Sequence, residues 1–275
     1  MHKPARNERI DKKMKDEKVS KTLKGLQSYW TDRSPSYSAQ NIEEMNNWKR
    51  KAWTDLILQY APERQRLRIL DVGTGPGFFA MALALAGHDV TAVDVTEQML
   101  AHARENAAAY GADVTFVLHR GETLPFADAS FDLIVSRNVT WNLEYPETAL
   151  REWKRVLDPG GRMVYFDANW YLYLFDDALK ARYSDFRREY RKREPDYTGG
   201  GTLSAARVKD LERIAYDLPL SRERRPEWDR KTIASLGMRL VRVIENVGPL
   251  VQDEAERARE LLTPLFMICA EKEVV

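Results

Sequence analysis

Apolar and polar positions fall into three unequal stretches along the chain. Between residues 67 and 167, short apolar runs alternate with longer segments whose apolar residues recur at helical spacing. The runs predict strands at 67–72, 90–94, 114–118, 131–136 and 162–166. The intervening segments predict helices at 78–86, 97–110 and 146–157. Thr96 is placed to cap the second of these, and Gly111 to end it. Asp158-Pro159-Gly160-Gly161 stops the third. A helix at 227–236 and strands near 240–246 and 265–271 resume the pattern late. Such alternation predicts an α/β fold: a doubly wound, Rossmann-like, seven-stranded and mostly parallel sheet with helices on both faces.

Two stretches break the rhythm. Residues 28–37 read as a turn-rich segment carrying Tyr29, Trp30 and Tyr37, followed by a helix over 41–60. Residues 170–225 carry clustered aromatics and many arginines, with loops at Gly199-Gly200-Gly201 and Arg224-Arg225-Pro226. The expected division is therefore an N-terminal arm and helical flap over 1–60, a core over 61–169 and 226–275, and a mainly helical lid over 170–225. Residues 1–24, rich in Lys, Arg, Asp and Glu, read as a solvated helix or arm.

The first strand ends in Asp71-Val72-Gly73-Thr74-Gly75-Pro76-Gly77, and an apolar helix follows at once. Glycines there let a ligand touch backbone, and the helix start offers free N–H groups. Asp94 ends the second strand, 21 residues after Gly73. An acid at that point suits a bidentate hydrogen bond to ribose hydroxyls. The dinucleotide fingerprint needs a glycine where Phe78 stands, and no Gly-Lys-Ser/Thr follows for a phosphate loop. A nucleoside-containing ligand is expected.

Composition adds limits. The 275 residues are 44% hydrophobic and 31% charged with a net charge of +1, so no global basic excess points to nucleic acid. Cys269 is the sole cysteine, and no metal site is expected. The chain has no apolar run of ~18 residues and no signal core at its N-terminus, so a cytoplasmic protein without membrane contact is expected.

Four motifs in order resemble the class I S-adenosylmethionine-dependent methyltransferases, in particular the type 11 small-molecule branch. They are Leu70 to Gly77; Val93-Asp94-Val95-Thr96-Glu97-Gln98-Met99-Leu100; Leu124-Pro125-Phe126 through Phe131-Asp132; and Arg155-Val156-Leu157-Asp158-Pro159-Gly160-Gly161. The resemblance covers residues 68–167, extends loosely to the last two strands, and makes the final strand antiparallel. It implies methyl transfer from S-adenosylmethionine, with S-adenosylhomocysteine as product, to a small or medium organic acceptor by in-line displacement. Gly73, Thr74, Gly75 and Gly77 are then expected at the methionyl part, with Asp71 orienting the loop. Asp94 is expected at the ribose. Val95, Met99, Gly121, Glu122 and Thr123 are expected around adenine, and Asn138 and Val139 at the boundary with the acceptor. Where the family carries an acidic residue near the adenine amino group, this chain has His119-Arg120-Gly121, and an arginine cannot accept a hydrogen bond.

Tyr29 and Tyr37 are expected to cover the ligand. Asn138, Trp141, Trp170, Tyr171 and Tyr173 are the expected acceptor pocket, at the carboxyl edge of the sheet. His119, Tyr29, Tyr37 and Tyr173 are the candidates for a base. Asp132 reads as a strand-start residue, His88 and His102 as surface residues, and the arginines of 187–193 as a solvated helix face. Two rival readings stand beside the enzyme: an RNA methyltransferase, and a noncatalytic S-adenosylmethionine-binding regulatory module. The expected partner is a small molecule, with no nucleic acid, and the expected state a monomer or homodimer.

Overall fold

The computed structural model describes residues 20–195 and 204–274. Most of the charged arm and the triple-glycine loop at 199–201 lie outside them. Seven strands form one sheet: β1 (Arg68–Val72), β2 (Asp89–Asp94), β3 (Val114–Leu118), β4 (Phe131–Arg137), β5 (Leu157–Asp167), β6 (Arg239–Ile244) and β7 (Phe266–Glu271). Their order is β3-β2-β1-β4-β5-β7-β6. The pairs among β1 to β5 are parallel, and β7 runs antiparallel to both β5 and β6. The expected fold class is borne out. The strand order reverses between β1 and β4, so the loops after those two strands diverge and leave a crevice at their carboxyl ends.

Helices α1 (Lys21–Met45), α2 (Trp48–Gln59), α3 (Phe78–Leu85), α4 (Glu97–Tyr110) and α5 (Pro146–Val156) come before β5. Helices α6 (Asp177–Tyr190), α7 (Ala205–Tyr216), α8 (Glu227–Ser235), α9 (Gly248–Val251) and α10 (Glu254–Arg259) follow it. One core gathers Trp53, Ile57, Phe79, Met81 and Leu83 with Ile69, Val135 and Met267. The other packs Leu150, Trp153 and Ile233 on Leu70, Ile134, Tyr165 and Ile268. Burial of β1 and β4 on both faces explains their near-continuous apolar character.

Three local expectations need correction. Residues 28–37 are not a turn: α1 runs unbroken through Pro35. A proline in a helix frees the carbonyl four residues back. Here the Ser34 hydroxyl donates to that carbonyl, on Thr31, at 2.8 Å. The helix expected over 41–60 is two helices, because Asn47 caps α2 by accepting from the Lys49 N–H at 2.8 Å. The segment at 158–161 belongs to β5, with the Gly160 N–H donating to the Lys272 carbonyl at 2.7 Å. Thr96 stands at the cap position of α4 but its hydroxyl makes no capping bond. Gly111 ends that helix in the left-handed region, φ 65°. No helix among the described residues is long and apolar enough to cross a membrane.

Asp132 is structural. Its carboxylate accepts from Arg64 Nη1 at 2.5 Å, Arg68 Nη2 at 2.6 Å and the Arg68 N–H at 2.8 Å. Burial alone would raise its pKa, but these donors outweigh it and hold the carboxyl below its ordinary range. The cluster sits at the amino end of β4 and β1, opposite the crevice.

Candidate active site

The loop after β1 is held by its neighbours. The N–H groups of Gly73 and Thr74 both donate to the Val93 carbonyl, at 2.8 and 3.0 Å. Thr74 Oγ1 donates to Asp71 Oδ2 at 2.6 Å, so Asp71 orients the loop from beneath. Burial pushes the Asp71 carboxyl up to about 7, against the Thr74 hydrogen bond that favours its charge. Gly73 lies at φ +69°, and a Cβ there would come within 2.3 Å of Val139 Cγ2. Only glycine allows β1's loop and β4's loop to approach this closely.

Asp94 closes the same loop from β2. Its Oδ2 accepts from the Gly75 N–H at 2.9 Å and its Oδ1 from the Thr96 N–H at 2.8 Å. Burial raises its pKa, and these backbone donors oppose the rise. The carboxylate lines the crevice with Gly73, Gly75, Val95, Met99 and Asn138. Val139, His119, Gly121 and Glu122 complete the sheet side of the cavity. Helix α1 roofs it with Leu23, Leu26, Trp30 and Tyr37, spaced so that they share one face. The roof is pinned to the β2–α4 loop by Gln27 Nε2, which donates to the Val95 carbonyl at 3.1 Å.

Several expected residues stand elsewhere. Tyr29 does not line the cavity. One residue step turns a helix by about 100°, which carries Tyr29 away from the face of Trp30 and into a cluster with Trp141 and Leu211. Trp141 is buried in that cluster and lines neither cavity, with its ring 4.9 Å from that of Tyr171. Thr123 is exposed, and Gly77 packs near Ala103 of α4. Glu122 reaches the cavity, but its Oε1 accepts from the N–H groups of Glu144 and Tyr145 at 2.8 and 3.1 Å. His119 lines the cavity with Nδ1 2.8 Å from the Arg120 carbonyl. Trp170, Tyr171 and Tyr173 line a second, adjoining chamber, and the Tyr173 hydroxyl donates to Glu212 at 2.6 Å. Of the four candidate bases, Tyr37 and His119 reach the cavity, while Tyr29 and Tyr173 do not.

Arg137 was not foreseen. It ends β4, lines the cavity and pairs with Glu44 at 2.9 Å. Its guanidinium lies 4.8 to 5.2 Å from the rings of Trp53, Phe78 and Phe79. Burial disfavours the charge, but Glu44, Tyr37 and Asp71 together outweigh it and hold the guanidinium charged. A charged residue just beyond the apolar run Leu133-Ile134-Val135 was the available signal. Arg225 was also missed. It is buried between Asp167 (3.2 Å) and Asp229 (2.5 Å) and donates to Thr140 Oγ1 at 2.8 Å. That network ties the loops after β4 and β5 to the start of α8.

Residues 70–165 match the family described as a methyltransferase domain. The core of this chain is similar to methyltransferase domains. The chain is 44% identical over 110 residues to a malonyl-[acyl-carrier protein] O-methyltransferase of Erwinia pyrifoliae, covering 40% of each chain. It is 36% identical over 155 residues to a demethylmenaquinone methyltransferase of Thermus thermophilus, covering 56% of this chain and 65% of that one. The chain thus spans less than two thirds of the curated relatives it matches. The likeness in fold extends further along the chain than the likeness in sequence. The Haemonchus contortus phosphoethanolamine N-methyltransferase 2, solved with S-adenosyl-L-methionine, aligns over 83% of this chain and 53% of its own with TM-score 0.56 at 20% identity.

Proposed function

We propose that this chain transfers the methyl group of S-adenosylmethionine to a small or medium organic acceptor, with S-adenosylhomocysteine as the other product. The observation that carries the reading is the convergence of Gly73, Gly75, Asp94 and Asn138 on one cavity at the carboxyl ends of β1, β2 and β4. The cavity's chemistry fits the cofactor. Asn138 Oδ1 is a buried acceptor without a partner among the described residues, and it suits an amino-group donor. The Asp94 carboxylate keeps lone pairs beyond its two backbone bonds, enough for a pair of hydroxyls. Val95 and Met99 offer apolar contact to a base.

When bound, S-adenosylmethionine supplies a methyl group on a positively charged sulfur, a good leaving group for in-line displacement. The chain's own contribution is alignment and exclusion of water. Gly73 and Gly75 bring bare backbone to the ligand. Asp94 fixes one end of it. Leu23, Leu26 and Trp30 cover it and keep water out. In this reading residues 1–60 are an arm and cover, 61–169 and 226–275 the catalytic core, and 170–225 the lid over the acceptor.

Calorimetric titration with S-adenosylhomocysteine tests the reading. A single-site isotherm is expected for the wild type, and Asp94→Ala should lose it while still unfolding in one cooperative urea transition. Unchanged affinity in Asp94→Ala would refute the site.

A further inference from the structure

A second chamber, of about 780 Å³, lies beside the first. The two share Tyr37, whose ring edge would stand 3.4 Å from a Cβ on Gly75. The Arg137–Glu44 pair stands at the same boundary, since Arg137 lines the first cavity and Glu44 the second. An acceptor in the second chamber therefore meets the first one at Tyr37.

The lining selects among acceptors. Aromatic side chains come from Tyr37 on α1, from Trp170, Tyr171 and Tyr173 after β5, and from Tyr183 on α6. Ring faces attract cations. Six carboxylates face the chamber against four cationic side chains. Two of those cations are answered locally. Lys49 is 2.9 Å from Asp253 and 2.6 Å from Glu256. Arg187 lies over the rings of Tyr173 and Tyr183 and 3.5 Å from Glu212. Arg33 and Arg259 then face Glu43, Glu194 and Glu260. The Glu260 carboxylate accepts from the Gln252 side-chain amide at 2.5 Å. Burial pushes its carboxyl up to about 7 and neighbouring Glu256 adds to the rise, while the amide and the Arg259 and Arg137 guanidiniums oppose it. A cation placed beside this buried carboxylate would favour its charged form.

We propose that the second chamber is the acceptor site and that it takes an organic ammonium group, held by Glu260 against the aromatic wall. This rests on the reading of the first cavity as the cofactor site. A carboxylate or phosphate in the same position would meet the excess of acids, so amines are the substrate class.

The test uses three probes of one shape: phenethylamine, 2-phenylethanol and phenylacetate. Each is titrated by calorimetry into the full chain, with and without saturating S-adenosylhomocysteine. Phenethylamine should bind at least about tenfold tighter than either of the others, and Glu260→Gln should erase the preference. The variant's unchanged affinity for S-adenosylhomocysteine reports that it is folded. No amine binding, phenylacetate binding as well as phenethylamine, or a preference that survives Glu260→Gln overturns the proposal. Should S-adenosylhomocysteine fail to bind the wild type, the cofactor reading falls, and the titrations without it still decide the amine preference.

Discussion

The cavity has a floor and a roof made in different ways. The floor is backbone: Gly73 at positive φ, Gly75 donating to Asp94, and Asn138 at φ 60°. The roof is side chain: Leu23, Leu26, Trp30 and Tyr37 on one face of α1. Floor positions admit few residue types, because the conformations and close approaches leave no room for alternatives. Roof positions need only apolar bulk at the right spacing, which many residues supply. The floor is therefore written as a motif and the roof is not.

Substitutions on the two sides should separate them. Gly73→Ala, on the floor, forces a left-handed alanine and a Cβ 2.3 Å from Val139 Cγ2. Strain and overpacking together should cost about 2–5 kcal/mol in urea denaturation, and S-adenosylhomocysteine binding should fall at least about a hundredfold. Wild-type binding in that variant breaks the distinction. Leu26→Ala, on the roof, leaves a void beside Trp141 and Leu211. It should cost about 2–3 kcal/mol and weaken S-adenosylhomocysteine about tenfold, with the loop beneath intact. A larger loss of affinity than that of Gly73→Ala would reverse the ranking.

Asp132→Asn serves as the remote control at the other end of the sheet. The wild-type carboxyl is depressed, so it adds stability above its unfolded pKa of about 4 and loses it as the pH falls through the lower folded value. Its partners are nearly half exposed, so the difference between wild type and variant at pH 7 should be about 1 kcal/mol. That difference should vanish in acid denaturation, and cofactor affinity should not move.

How much of this could be read from the sequence follows the same division. The alternation from 67 to 167 yielded β1 to β5 and the helices between them, because strands packed in a sheet leave short apolar runs, whereas α9 and α10 near the end of the chain were not predicted. Asp94 and the glycines were legible because their roles are local. Residues 28–37 were misread as a turn because Pro35 and its serines usually mark one, and the Ser34–Thr31 hydrogen bond that repairs the helix depends on a rotamer. Tyr29 and Trp30 looked equivalent in the chain, yet only the second faces the cavity, a difference set by packing on α7. Arg137 and Glu44 escaped because they lie far apart in sequence, and Arg225 because its partners Thr140 and Asp167 lie far from it.

Tyr37 belongs to the wall of both chambers, and that has a thermodynamic corollary. A ligand that shifts this ring on one side changes the space available on the other. The coupling must be reciprocal: whatever factor one ligand imposes on its neighbour's affinity, the neighbour returns in full. Under the proposed assignment of the two chambers, one aromatic ring links donor and acceptor occupancy in a single equilibrium.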